Sequence, residues 1–292
     1  MTLLKIIMKF YPRAFALVAS LLFGVANAHA AGEGGGVQRM TVFHCGEAVT
    51  SDISFWSPGV DVGKAREFSA NCYLIRHAKG LMLWDSGMQD SIAALPNGRV
   101  TAGGRITARV SKPLQAQLRA LGMAPTDITH LAFSHTHEDH VGNANLFTAA
   151  TLYMQEAEYD AAFGPDAATK FKFNPALYEK LRANPVVKLH GDYDVFGDGE
   201  VVILSTPGHT PGHQSLLVRL PKRGKVLLSG DVVHFKENWI NRRVPAGNFS
   251  REQSLASMEK IAAVLKREHA ELWINHDKAQ SATVPHAPDF VE

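Results

Sequence analysis

Short apolar or alternating runs, rich in Val, Ile, Leu and aromatic residues, recur along this chain between turn residues. They cover 37–44, 68–76, 81–85, 128–134, 151–155, 186–190, 201–205, 214–220, 225–229 and 272–275. Their length and composition predict strands. Turns at 79–80 (KG), 197–199 (GDG) and 222–225 (KRGK) predict hairpins between several of them. Two segments carry helical periodicity instead. Residues 112–121 place Leu114, Leu118 and Leu121 on one stripe that stops at Gly122, and 251–268 align Leu255, Met258, Ile261, Ala262 and Leu265, with Ser250 and Gln253 as a capping box. Residues 156–183 read as helix, loop and helix. Strands broken by helices without strict alternation predict layered sheets flanked by helices in one domain.

The amino terminus breaks this pattern. Lys5, Lys9 and Arg13 precede the apolar run AFALVASLLFGV (14–25) and then ANAHA, with no acidic residue. That order reads as a signal peptide, residues 1–30, cleaved after Ala28 or Ala30. The run is shorter than the ~20 residues of a membrane-spanning helix, so the mature protein is expected to be exported, periplasmic or secreted, with no membrane attachment. A flexible lead-in, AGEGGG (31–36), then opens a single domain over 37–292.

Composition bounds the function classes. With 46% hydrophobic and 20% charged residues the 292-residue chain can bury a large core. Cleavage after Ala30 removes three basic and no acidic residues, turning a net charge of +2 into −1. The basicity belongs to the leader, and nucleic-acid binding has no support. Cys45 and Cys72, the two cysteines, lie 27 residues apart in apolar segments. Export permits a bridge between them; two buried free thiols are the expectation.

The 14 histidines are the unusual entry in this composition. Four motifs gather them with aspartates: SHTHEDH, holding His135, His137, Asp139 and His140; STPGHTPGH, with His209 and His213; SGD, with Asp231; and INHD, with His276. Each follows a predicted strand, so rigid elements aim loop residues at a common point. Within the first motif, His135 and His137 point one way while Asp139 and His140 turn toward a neighbouring volume. Imidazole and carboxylate without thiolate suit zinc, and also iron, manganese or cobalt. Five His and two Asp exceed the needs of one tetrahedral ion and suffice for two ions sharing a carboxylate. The isolated histidines (His44, His77, His130, His190, His269 and His286) read as structural.

The succession His-x-His-x-Asp-His, TPGHTPGH, GD and a late His resembles the metal signature of the metallo-beta-lactamase fold hydrolases. The likeness extends over the whole mature chain from NCYLIRHAKGLMLWDSG onward. Within that superfamily, TPGHTPGHQSLLV followed by GDVVHFKENW is most similar to the N-acyl homoserine lactone lactonases. The resemblance implies an αβ/βα four-layer sandwich of two mixed sheets with outer helices. It implies one metal on His135, His137 and His209, a second on Asp139, His140 and His276, and Asp231 between them. Asp85, in LWDSG, would hold a ligand imidazole, and His213 would stand behind the ligands. The implied reaction opens a lactone by attack of a hydroxide held between two divalent ions, with Asp139 shuttling the proton; some such enzymes are homodimers.

One position departs from that family. His234 stands where such lactonases carry a Tyr three residues after the bridging Asp. An imidazole there donates the same hydrogen bond to a substrate carbonyl, or marks a different substrate. Phe147, Trp239, Ile240 and the 156–183 segment are candidates for an acyl-chain groove, with plain core packing as the competing reading. Other substrates for the same fold are a further ester or lactone, a phosphotriester or a beta-lactam; Asp231 speaks against the last. A non-catalytic metal-binding protein is the remaining alternative.

Overall fold

A computed structural model describes residues 35–292 of the chain; the expected leader, 1–30, lies outside them. The elements in order are β1 (Val37–Thr50), β2 (Arg66–His77), β3 (Gly80–Trp84), β4 (Arg99–Thr101), β5 (Ile106–Arg109), α1 (Leu114–Ala120), β6 (His130–Ala132), α2 (Glu138–Val141), β7 (Thr151–Gln155), α3 (Glu156–Phe163), β8 (Val186–Leu189), β9 (Tyr193–Asp194), β10 (Val201–Ser205), β11 (Gln214–Leu220), β12 (Gly224–Leu228), α4 (Lys236–Asn241), α5 (Arg251–Glu268), β13 (Glu271–Trp273) and α6 (Lys278–Ser281).

The strands form two mixed sheets, ordered β4-β5-β1-β2-β3-β6-β7-β8 and β13-β12-β11-β10-β9. Side chains alternate across each sheet, and the alternation assigns the layers. Val42, Tyr73 and Trp84 meet Ile203, Leu216 and Val226 between the sheets. The next residues along the strands face outward. Phe43, Leu74 and Leu83 pack under Leu114, Leu118 and Ala162 of the helices on one side. Leu204, Leu217 and Leu227 pack under Met258, Ile261 and Val264 of α5 on the other. The order helix, sheet, sheet, helix is the αβ/βα sandwich. No helix among the described residues is long and apolar enough to cross a membrane.

Several elements differ from the sequence expectation. β1 continues to Thr50 through a bulge between His44 and Glu47. Gly46 makes the bulge possible, at φ 140° and with Met88 Sδ 2.6 Å from where a Cβ would stand. The expectation of free thiols is overturned: Cys45 and Cys72 form a disulfide, with Cα atoms 5.8 Å apart. The bulge brings Cys45 beside Cys72 on the antiparallel neighbour, where Phe43 is paired with Cys72. In 156–183 only Glu156–Phe163 is α-helical; 3₁₀ turns at Pro175–Leu177 and Glu179–Ala183 replace the second helix. α5 keeps its expected bounds, and Ser250 Oγ accepts from Gln253 N–H at 3.2 Å.

Candidate metal centre

The site is made by strand direction. β3 and β6 run parallel in the first sheet. β10, β12 and β13 share one direction in the second, since β11 is antiparallel to both β10 and β12, and β13 is parallel to β12. Their carboxyl ends release Asp85, the His135–His140 loop, the His209 loop, Asp231 and His276 respectively.

The structure brings all seven expected ligands together. Donor atoms within 4.8 Å of one another group as His135, His137 and His209; as Asp139, His140 and His276; as His135, His140 and Asp231; and as His209, Asp231 and His234. His137 Nδ1 lies 2.8 Å from His135 Nε2 and 3.0 Å from His209 Nε2. Asp231 stands between the groups, its oxygens 3.0 Å from His276 Nε2, 3.4 Å from His140 Nε2 and 3.4 Å from His209 Nε2. Asp139 Oδ2 is 3.6 Å from His276 Nε2.

Hydrogen bonds at the far side of the His140, His276 and His209 rings fix their orientation. Asp85 Oδ2 accepts from His140 Nδ1 at 3.0 Å, and its Oδ1 accepts from Ser134 N–H at 2.6 Å. It does so from a left-handed backbone, φ 59°, a strained conformation for a residue with a side chain. His276 Nδ1–H donates to the Ser69 carbonyl at 2.7 Å, and His209 Nδ1 meets Asn248 Oδ1 at 2.9 Å. His213 falls in none of these donor groups. Its Nδ1–H donates to Thr206 O, which orients the ring, and its Nε2 accepts from Asp231 N–H at 2.8 Å, which holds the Asp231 backbone. His234 Nε2 lies 3.1 Å from Asp231 Oδ2.

This donor set fits divalent metal. Nitrogen lone pairs converge without enough protons to pair them, and His140 Nε2 and Asp231 Oδ1 are buried with no hydrogen-bond partner. Such orphans are costly unless another group satisfies them. Burial holds His135 and His209 well below the ordinary imidazole range and His137 at about 4, in the neutral form that a metal ligand needs. Burial opposes charge on Asp231, yet the rings of His276, His234, His140 and His135 pull it well below the usual carboxylate range. His140 is raised despite its burial by Asp231, Asp85 and Asp139.

The cluster floors a cavity of about 480 Å³, with Asp139, His209, Asp231, His234 and His276 at its base. Ala48, Phe55, Trp56, Phe68, Ile106 and Ala108 make an apolar wall, and Lys172 and the Arg99–Glu138 ion pair (2.7 Å) stand in the lining. The expected groove residues lie elsewhere. Phe147 is fully buried between the first sheet and its helices, Trp239 packs on the α5 side of the second sheet, and Ile240 is 64% exposed. Of the 156–183 segment, Lys172 reaches the cavity. The wall residues escape sequence reading because Phe55 and Trp56 sit in a Ser/Gly/Pro-rich loop and Ala48 and Ala108 look like ordinary small strand residues.

This fold and centre define a class. The chain belongs to the metallo-beta-lactamase superfamily, whose family model matches residues 65–266, and it is accordingly a hydrolase. Within the superfamily it is 32% identical over 242 residues to N-acyl homoserine lactonase AttM of Azorhizobium caulinodans, covering 79% of this chain and 90% of that one. It is 31% identical to N-acyl homoserine lactonase AiiA of Bacillus thuringiensis subsp. kurstaki, over 82% and 94% of the two chains. A solved N-acyl homoserine lactone hydrolase with N-hexanoyl-L-homoserine bound at its catalytic metal centre superposes with a TM-score of 0.76 at 28% identity, covering 87% of this chain and 99% of that one.

Proposed function

We propose that this chain opens the lactone ring of N-acyl homoserine lactones, using two divalent metal ions, zinc first among them, on the floor of the cavity. The observation that carries the reading is the pair of donor triads on either side of Asp231 beneath an apolar wall. The similarity to the lactonases supports the substrate class. Divalent metal bound there lowers the pKa of water to about 7 and polarises the ester carbonyl. Water adds to the carbonyl carbon, the acyl–oxygen bond of the ring breaks, and the products are a carboxylate, a hydroxyl and one released proton. Asp139, with a third of its side chain exposed to the cavity, takes the proton from the attacking water and returns one to the departing ring oxygen. The wall takes up the acyl chain. His234 braces Asp231 through Nε2, and donates to a substrate carbonyl when that contact is exchanged.

Export to an oxidising compartment belongs to the same proposal. The leader pattern in residues 1–30 supports it, as does the Cys45–Cys72 bridge, a bond that persists outside the reducing cytosol.

The test is a pH-stat and mass-spectrometric assay of a lactone panel, a cephalosporin and paraoxon, with metal content measured on the same sample. Ring opening of acyl homoserine lactones well ahead of the others is expected. Rapid cleavage of another ester class with no lactone turnover would overturn the substrate, and His234 in place of the lactonase Tyr would then mark the change. Lactone turnover by metal-free protein would overturn the metal reading.

A further inference from the structure

Glu158, on the first turn of α3, is almost fully buried and takes no part in the steps above. Its carboxylate spans two ligand loops. Oε1 accepts from both the backbone N–H and the hydroxyl of Thr136, each at 2.9 Å, and Thr136 lies between His135 and His137. Oε2 accepts from Gly212 N–H at 2.9 Å, three residues beyond His209 and next to His213. Gly212 is pressed against the same helix turn: a Cβ there would stand 2.3 Å from Glu158 N and 2.6 Å from Glu158 Cβ. At their strand ends the two loops are already joined by Gln214 N–H to Ser134 O, at 2.8 Å. Nearer the ligands, the carboxylate joins them.

We infer that Glu158 is a positioning residue for the metal centre, clamping the His135–His137 loop to the His209 loop so that the three imidazoles converge on one ion. Thr136 N–H, the Thr136 hydroxyl and Gly212 N–H all donate to this carboxylate, and their bonds work against the burial that raises its pKa. A glutamine in its place has one acceptor oxygen and one NH₂ group. Whichever way that amide turns, one loop N–H faces a donor and is left buried without a partner, a costly arrangement. An aspartate is one methylene too short to reach both loops. The inference rests on the metal reading of the cluster, and the experiment separates the two.

Zinc affinity, by competition with a chelator, and melting temperature are measured for the wild-type chain, Glu158→Gln and Leu181→Ala. Leu181 is buried in the core between the first sheet and its helices, so its truncation loosens the fold without removing a loop contact. Groups that orient metal ligands cost about 10–100-fold in metal affinity when altered. Glu158→Gln is therefore expected to bind zinc at least about tenfold more weakly, with turnover restored by excess zinc and KM unchanged. Leu181→Ala is expected to keep wild-type affinity at a comparable loss of melting temperature. Wild-type affinity in Glu158→Gln, or an equal loss in Leu181→Ala, overturns the positioning role while leaving the metal reading intact. A wild-type chain that binds no zinc overturns both. If Glu158→Gln does not fold, Thr136→Val removes one of the three bonds and must weaken zinc binding severalfold; unchanged affinity there overturns the inference equally.

Discussion

The floor and the wall of the cavity are held by different physics. On the floor, His140, His209 and His276 each spend one nitrogen on a fixed partner, Asp85, Asn248 or the Ser69 carbonyl, and turn the other toward Asp231. These bonds are directional, and changing one end leaves a buried polar group unpaired. The wall is a chain of edge-on aromatic contacts, Phe55 on Trp56, Trp56 on Phe68 and Phe68 on Phe235, with ring centroids 4.9–5.0 Å apart. Such contacts reward volume and shape more than identity. Under the proposed function, the floor selects the bond that is broken and the wall selects the molecule that brings it.

The largest effect belongs to the floor. Asp139→Asn keeps the side chain's shape and removes its capacity to carry a proton, so turnover is expected to fall by at least about a hundredfold. Near-wild-type kcat would remove Asp139 from the proton path. The next test acts behind the wall, where Met88, a cavity residue, donates its N–H to the Cys45 carbonyl at 2.9 Å. Replacing both cysteines by alanine frees a loop of 27 residues in the unfolded chain, which costs about 3 kcal/mol. In a domain of this size that lowers the melting temperature by about 6–12 °C. Calorimetry with metal analysis should show the loss of stability with metal content unchanged; metal loss would mean that floor and wall are mechanically one. Asp85→Asn returns to the floor. Its amide presents NH₂ to one of its two partners, and when it faces His140 Nδ1 the ring tautomer that offers Nε2 is opposed. Metal affinity should drop by about 10–100-fold, and unchanged affinity by chelator competition would make Asp85 merely structural.

The same contrast explains what was legible in the sequence. His135, His137, Asp139 and His140 are local to one loop, and His209, Asp231 and His276 each follow a strand that its apolar run announces, so motif and periodicity find the floor. The sandwich follows from the same runs. β4 and β5 stayed hidden because three- and four-residue strands with mixed polarity carry little periodic signal. The bulge at His44–Glu47, and with it the Cys45–Cys72 bridge, depends on register across β1 and β2, which a single strand's pattern does not encode. Phe147 shows the opposite error: an aromatic residue after a ligand motif looks like groove and is core. Glu158 had no signal at all, since an acid in the first turn of a helix is ordinarily a helix-dipole partner.

The smallest expected effect is the one that tests the wall as a reader of chain length. Ala48 on β1 and Ala108 on β5 are cross-strand partners, and both line the cavity. Two small residues side by side leave depth that any larger pair would fill. Ala108→Phe puts a ring into that space, away from the ligands. For a lactone with a long acyl chain, kcat/KM should fall about tenfold, the scale of losing one or two methylene contacts in a pocket. A short-chain lactone, whose ring and carbonyl need only the floor, should be turned over as before. Chain-length profiles of the wild type and the variant, at equal metal content, decide the matter. Equal losses for short and long chains would mean that the ring has disturbed the floor, and no loss for either would place the acyl chain on another wall.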